Sequence, residues 1–301
     1  MKHQGKLLTA PLGQRSVPIG TTPPISPDSI GETDRRSGGT PRAGVLIVNA
    51  DDWGRDFQNT DRTLECIGRG TVSSVSAMVY MKDSERAAAI ARERGIDAGL
   101  HLNFTTAFSA SRTPARLIEH HERVSRYLGR NRFAQVIFHP GLTGSFEYVV
   151  ASQRDEFCRL YGSEPARLDG HHHMHLCSNV LLGRLLPPGT LVRRNFSFQP
   201  GEKSLINRLF RRAVDDRLAR RHRIVDFFFS LPPLDPLTRL QRIFSLAAQF
   251  TVEVETHPVS SEDFGFLTGD EVVRWTAGSP IASRFAVPVG GSGSRIDARR
   301  S

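Results

Sequence analysis

Four histidines and one aspartate lie within the seven residues of the segment DGHHHMH, residues 169–175. The whole chain contains eleven histidines, so more than a third of them are concentrated here. Imidazole nitrogens bind transition metals and exchange protons near neutral pH. The segment therefore predicts a metal-binding or proton-transfer site, which residues from other parts of the chain must complete.

Further carboxylate and imidazole side chains occur at or near the ends of other predicted strands. Asp51 and Asp52 are adjacent in NADDWG, His101 lies in GLHLNF, and Glu255 and His257 lie in VETHP. Two adjacent carboxylates at the end of a buried strand repel each other and need a cation or a proton between them. Each feature also has a purely structural explanation, since Asp-Asp can begin a turn and a single strand histidine is commonly a core residue. Their coincidence favours a functional site.

An alternation of strand and helix patterns would bring these residues together. The apolar run GVLIVNA (44–50) is typical of a strand buried on both faces. Further strands are predicted at 72–80, 96–104, 166–169, 190–194, 223–229, 251–256 and 283–288, with helices near 59–69, 84–94, 146–162, 176–186, 203–221 and 236–249. Reactive groups gather at the carboxyl ends of the strands in such folds.

The expected fold class is α/β, a (β/α) barrel that is TIM-barrel-like and either complete or distorted, over residues 44–288. An open, doubly wound parallel sheet is the alternative, although no GxGxxG or P-loop motif marks a nucleotide site. Residues 1–43 contain six prolines and no apolar periodicity, which predicts a disordered N-terminal tail. The glycine- and serine-containing segment 289–301 predicts a flexible C-terminal tail.

The composition excludes several classes of protein. No apolar run approaches the ~20 residues of a transmembrane helix, and no secretory signal is visible. The three cysteines are widely spaced and form no CxxC pair, so we predict neither a disulfide framework nor a zinc ribbon, and we expect a cytoplasmic protein. The sequence leaves open whether the chain forms a homo-oligomer.

The net charge of +9 does not by itself predict nucleic-acid binding. The two predicted tails contribute a net three and a net two of these charges. Much of the remainder comes from arginines between 208 and 223, which are spaced as on the solvated face of a helix. We therefore predict no nucleic-acid partner, and contact of this helix with an anionic polymer or a membrane surface is the alternative.

Four motifs of the chain together resemble those of a known family. The motifs VNADDWG, AGLHLNFT, RLDGHHHMH and VETHP occur in the order and at the spacing of the YdjC-type carbohydrate deacetylases, over roughly residues 44–260. That family includes chitooligosaccharide deacetylases and deacetylase-like proteins of hopanoid biosynthesis. The resemblance implies a distorted (β/α) barrel that hydrolyses an N-acetyl group on an amino sugar with the help of one divalent metal ion, Mg²⁺ or Zn²⁺.

The family's motifs also imply roles for individual residues. By resemblance, Asp52, His101 and His171 bind the metal, and Asp51 is the general base. The usual family motif has Phe-Gly after the two aspartates, whereas this chain has Trp53 and Gly54.

The remaining roles follow from chemistry. The amine that leaves an amide needs a proton, and His257 is the candidate donor. Arg193, at the end of a predicted strand, is a candidate to orient Asp51 and keep it ionised, or else a surface arginine. Asp169 is expected to bond the second nitrogen of a ligand histidine. The other candidates for substrate contact, or for support of the metal ligands, are Trp53, Asn103, His173, His175 and Glu255; for Trp53, core packing is an equal alternative.

Other functions remain compatible with the sequence. A different one-metal hydrolase, such as an amidohydrolase or a phosphoesterase, would use the same kind of ligands. A non-catalytic carbohydrate-binding relative is also conceivable, but binding alone does not require both Asp51 and Asp52. The favoured partner is an N-acetylated saccharide substrate.

Overall fold

The computed structural model describes residues 44–130, 133–198 and 202–285. The two predicted tails, 1–43 and 289–301, lie outside these ranges. The described strands are β1 (Val45–Trp53), β2 (Ser74–Ala77), β3 (Ala98–Leu102), β4 (Arg167–Gly170), β5 (Leu191–Val192), β6 (Phe227–Ser230) and β7 (Thr251–Thr256). The described α-helices are α1 (Phe57–Gly68), α2 (Ser84–Arg94), α3 (Ala115–Leu128), α4 (Thr143–Tyr161), α5 (Ser178–Leu182), α6 (Leu205–Ala219), α7 (Leu237–Ala247), α8 (Ser261–Thr268) and α9 (Asp270–Thr276).

The strands form a curled, parallel sheet in the order β5-β4-β3-β2-β1-β7-β6. This is the strand order of a (β/α) barrel opened between β5 and β6. Across the opening, Leu191 and Arg223 form an isolated parallel bridge, and the Val192 N–H donates to the Arg223 carbonyl at 2.8 Å. The predicted fold class is therefore confirmed, in the distorted form of a half-barrel.

The last predicted strand, 283–288, is wrong over its described part. Residues 283–285 adopt no strand, although Ile281 forms an isolated bridge with Leu46 and the Phe285 ring packs against the Arg167 guanidinium of β4. Three of the described helices were not predicted from the sequence: α8, α9 and α3, of which α3 buries Leu117, Val124 and Leu128. In the described residues, no helix is long and apolar enough to span a membrane. Cys66, Cys158 and Cys177 are all free thiols.

The two faces of the sheet have opposite character, because successive strand residues point to opposite sides. On the outer face, apolar side chains pack into the core beneath the helices, as Leu46, Val48 and Ala50 of β1 do. The alternate positions face the inside of the half-barrel and are largely polar and buried: Asn49, Asp51, Ser74, Ser76, His101, Arg167, Asp169, Glu253 and Glu255. Branched aliphatic residues usually fill the inside of a TIM barrel. The inside of this half-barrel differs, because it holds a network of buried polar residues.

Candidate active site

The end of β1 presents two adjacent carboxylates to the same space. The pairing of β1 with β2 shifts register between Ala50 and Trp53, and Asp52 adopts a positive φ of 62°. In a regular strand, Asp51 and Asp52 would point to opposite faces. The irregularity lets both approach His101, whose Nε2 lies 3.9 Å from Asp51 Oδ2 and 3.5 Å from Asp52 Oδ1. Such a backbone conformation is costly for a non-glycine residue and is often found at functional sites.

Asp52, His101 and His171 form a compact group of potential metal ligands. All three are buried, and one ligand atom from each lies within 4.8 Å of the others. His171 Nδ1 is 2.9 Å from Asp52 Oδ1. His101 Nε2 and His171 Nε2 are buried and have no hydrogen-bond partner among the described residues. Buried polar atoms normally have partners, so this set fits a bound cation.

The hydrogen bonding of His101 supports the same interpretation. Its Nδ1 lies 2.8 Å from Asp169 Oδ1. Because an ionised carboxylate only accepts hydrogen bonds, Nδ1 carries the proton, and in a neutral ring Nε2 then has its lone pair directed towards Asp52. Metal-binding histidines commonly bond a carboxylate in this way through their other nitrogen. Asp169 thus contacts the second nitrogen of His101, one of the histidines for which the family resemblance implies a metal-binding role.

The group lies in an excess of buried negative charge. Burial alone would lower the pKa of His101, but the charges of Asp51 and Asp169 outweigh it and raise that pKa to about 9. Burial raises the pKa of Glu253 to about 7 and that of Glu255 well above its ordinary value. The site therefore favours a positive charge between the aspartates, which a proton on His101 or a divalent cation would supply.

Arg193 follows β5 and is the buried cation that contacts most of these carboxylates. Its guanidinium forms a bidentate pair with Asp51 at 2.6 and 2.8 Å. It also lies 3.0 Å from Asp169, 2.7 Å from Glu253 and 3.3 Å from Glu255. Burial would raise the pKa of Asp51, but Arg193 and His101 hold it well below its usual range. Arg193 thus occupies the position that the sequence analysis considered for it, rather than a place on the surface.

The histidines of the 169–175 segment separate into different environments. His172 and His173 both have positive φ, which coils the segment tightly after β4. His175 is fully buried and its Nε2 lies 2.9 Å from the Arg193 carbonyl, so it supports the backbone of Arg193 rather than contacting substrate. Burial lowers its pKa to about 4, which keeps the ring neutral. A Cβ on Gly170 would lie 3.0 Å from His175, so glycine permits this close approach.

Three histidines lie nearer the rim. His172 Nδ1 is 3.0 Å from Thr105 Oγ1. His173 lies 3.5 Å from Glu255 Oε2, and burial lowers its pKa to about 3, so it is neutral at ordinary pH. The side chain of His257 is 37% exposed, and its Nδ1 lies 4.0 Å from Glu255 Oε1. His257, Glu255 and Asp51 each have one potential ligand atom within 4.8 Å of those of the other two. Of these, His257 combines access to solvent with proximity to Asp51.

Two predicted site residues have other roles. Trp53 is completely buried in the apolar core, so its ring has no face open to a sugar, and the alternative of core packing is correct. Asn103 is also fully buried, and its side chain holds the loop after β3 by accepting from the N–H groups of Thr105 and Thr106 and donating to the Thr106 carbonyl. Its polar atoms are therefore engaged within that loop.

A layer of polar residues beneath the site was missed by the sequence analysis. Asn49 Nδ2 donates to Asp51 Oδ1 and to Ser76 Oγ, each at 2.8 Å. Ser76 Oγ in turn donates to Asp169 Oδ2. One side chain, Asn49, thereby connects the candidate base with the carboxylate that orients His101. Arg55, also missed, donates to Asp52 Oδ2 at 2.8 Å and leaves Oδ1 facing the histidines.

Replacement of Ser76 by alanine tests this layer. The change removes the donor to Asp169, so we expect weaker orientation of His101 and a metal affinity lower by about 10–100-fold. Competition with a chromogenic chelator would measure the dissociation constant. Ser73→Ala is the matched control, because Ser73 bonds only the Val48 N–H in this region. Equal affinities of both variants and the parent would contradict the prediction.

Comparisons with known proteins place the chain in a family. The family model described as YdjC-like protein matches residues 45–271. Because this match covers most of the chain, the protein belongs to the YdjC family, and the resemblance drawn from the motifs is confirmed.

Individual relatives are more distant. The chain is 31% identical over 136 residues to a chitooligosaccharide deacetylase of Serratia marcescens, covering 44% of this chain and 51% of that protein. It is 30% identical over 142 residues to a carbohydrate deacetylase of Mus musculus, covering 45% and 44%. The matched part thus spans about half the length of these curated relatives.

A solved structure supports the fold. The crystal structure of a putative cellobiose-phosphate cleavage protein from Enterococcus faecalis superposes with a TM-score of 0.56 and 18% identity, covering 80% of this chain and 97% of that one. At this identity the similarity establishes the shared fold alone.

Proposed function

We propose that this protein is a metal-dependent carbohydrate deacetylase that hydrolyses the N-acetyl group of an amino sugar or saccharide. The observation that carries the proposal is the buried group of Asp52, His101 and His171 beside a second carboxylate, Asp51, that Arg193 holds ionised. The names of the curated relatives support the same reaction class. A site that only bound metal or sugar would not need the additional carboxylate.

In the proposed reaction, Asp52, His101 and His171 hold one divalent ion. Mg²⁺ or Zn²⁺ in this position would polarise the acetyl carbonyl and lower the pKa of water. The ligand set is open, as in catalytic rather than structural sites, because three protein side chains leave positions for water and substrate.

The other residues handle protons. The Asp51 carboxylate takes the proton of the attacking water, and the bidentate pair with Arg193 fixes its orientation. His257 at the rim donates a proton to the departing amine. Asp169 keeps His101 in the tautomer that directs Nε2 towards Asp52. Burial raises the pKa of Glu255, which lies between His173 and His257 and would contact the substrate there.

An acetate-release assay tests the proposal. Purified protein would be stripped of metal and incubated with a panel of N-acetylated saccharides, with and without added Mg²⁺ or Zn²⁺. We expect acetate to be released from at least one member of the panel, and only with metal. Release without metal, or release of phosphate from phosphorylated sugars but no acetate from the panel, would contradict the proposed function.

We also expect a cytoplasmic location, as the cysteine content predicts.

A further inference from the structure

Helix α6 carries a group of large apolar side chains that nothing in the described structure covers. Leu205, Ile206, Leu209 and Phe210 are 62%, 81%, 57% and 49% exposed. The helix is held to the protein by its opposite side, where Asp215 and Leu218 are buried. Isolated exposed apolar residues are common, but four neighbours on two turns of one helix mark an interaction surface.

The same region contains an unusual concentration of positive charge. A cavity of about 200 Å³ between α5 and the C-terminal end of α6 is lined by Arg184, Arg217, Arg220, Arg221 and His222, together with apolar side chains. No carboxylate lines this cavity, and none of its four arginines forms an ion pair with a residue in the described ranges. The cavity is therefore suited to an anion.

Helix geometry places the apolar and cationic groups on one side. With 3.6 residues per turn, positions eleven apart lie almost in line, three turns from each other. Arg217 is eleven residues after Ile206, and Arg220, which directly follows the helix, is eleven after Leu209. All four are exposed. The outward face of α6 is thus apolar in its first two turns, and at its C-terminal end it carries Arg217 and Arg220 beside one exposed carboxylate, Asp216.

We propose that this face of α6, with the arginine-lined cavity, docks on an anionic phospholipid surface. The arginines would bind lipid phosphates, and the leucine, isoleucine and phenylalanine side chains would enter the boundary between headgroups and acyl chains. A soluble phosphate compound would use the arginines but leave the apolar residues unexplained. A second copy of this chain would bring the same uncompensated arginines together. The surface is independent of the proposed deacetylase activity.

Cosedimentation of the full-length protein with vesicles tests the proposal. We expect binding to vesicles of phosphatidylcholine mixed with phosphatidylglycerol, little binding to phosphatidylcholine alone, and weaker binding as salt screens the charges. Arg217→Gln and Arg220→Gln should each weaken binding by about fivefold, the usual effect of one basic residue at an anionic membrane. Arg94→Gln, an equal loss of charge on α2, should change it little.

The apolar part has its own variants. Ile206→Ser and Phe210→Ser should each weaken vesicle binding relative to the parent protein. Val273→Ser, at another exposed apolar position (66%) on α9, is the control and should leave vesicle binding unchanged. Equal vesicle binding by the α6 variants and their controls would overturn the proposal. Saturable binding of inorganic phosphate without any binding to vesicles would also overturn it. The same holds if the parent protein does not bind vesicles and forms a dimer in sedimentation velocity that Ile206→Ser dissociates.

Discussion

Replacement of Asp51 by asparagine is expected to lower kcat by about 10²–10⁴-fold, the usual contribution of a general base, while the metal remains bound. The amide is nearly isosteric but cannot take a proton from water. KM should change little, because Asp51 is assigned no contact with the substrate. Initial rates of acetate release, together with metal content per chain, measure both quantities.

The position of Asp51 beside Arg193 requires a control. The neutral amide of the Asp51→Asn variant would no longer pair with the guanidinium as an anion, and the resulting loosening of Arg193 could by itself reduce activity. Glu253→Gln removes a different carboxylate from the same guanidinium, which it contacts at 2.7 Å. This variant should lose far less activity than Asp51→Asn. If Glu253→Gln reduces kcat as strongly, Asp51 acts only through Arg193 and is not the base.

Loss of any proposed ligand is expected to remove the metal. Asp52→Ala, His101→Ala and His171→Ala should each bind less than one equivalent at a metal concentration that saturates the parent protein, because two side chains hold a divalent ion poorly. Deacetylation should fall in parallel. Equilibrium dialysis followed by elemental analysis would measure the stoichiometry.

His172 provides the matched control for this series. It lies in the same segment, with its ring centre 4.0 Å from that of His171, but its Nδ1 faces Thr105 instead of Asp52. His172→Ala should therefore retain one equivalent of metal. Full metal content in His171→Ala together with its loss in His172→Ala would reassign the ligand within the run of histidines.

The sequence indicated the carboxylates and histidines of the candidate site but not the polar residues that support them. Asp51, Asp52, His101 and His171 were identified because polar residues at strand ends stand out against apolar runs. Asn49, Ser76 and Glu253 were missed, because a polar residue inside a strand with polar and apolar positions alternating normally faces solvent. In this fold the polar face of the strands lines the inside of the half-barrel instead. The alternation of polar and apolar residues was visible in the sequence, but which face would be enclosed depended on how the sheet curls.

Local backbone geometry was also beyond the sequence analysis. Nothing in NADDWG shows that Asp52 adopts a positive φ, and this conformation is what allows two neighbouring carboxylates to face one space. Likewise, DGHHHMH does not show which of its histidines face the metal group. The positive φ angles of His172 and His173 determine which histidines face the metal group, and they place His175 against the backbone of Arg193. Trp53 was ambiguous because burial depends on the helices packed outside β1.

Metal titration of Asp51→Asn and Asp52→Asn, each assayed for acetate release beside the parent protein, tests the division of roles between the two aspartates most directly. Asp52 lies against His101 and His171, and Asp51 is paired with Arg193. Excess metal should therefore partly restore Asp52→Asn, whose defect is metal affinity, and should not raise the low activity of Asp51→Asn, whose site is already filled. Restoration of Asp51→Asn but not of Asp52→Asn would contradict this account.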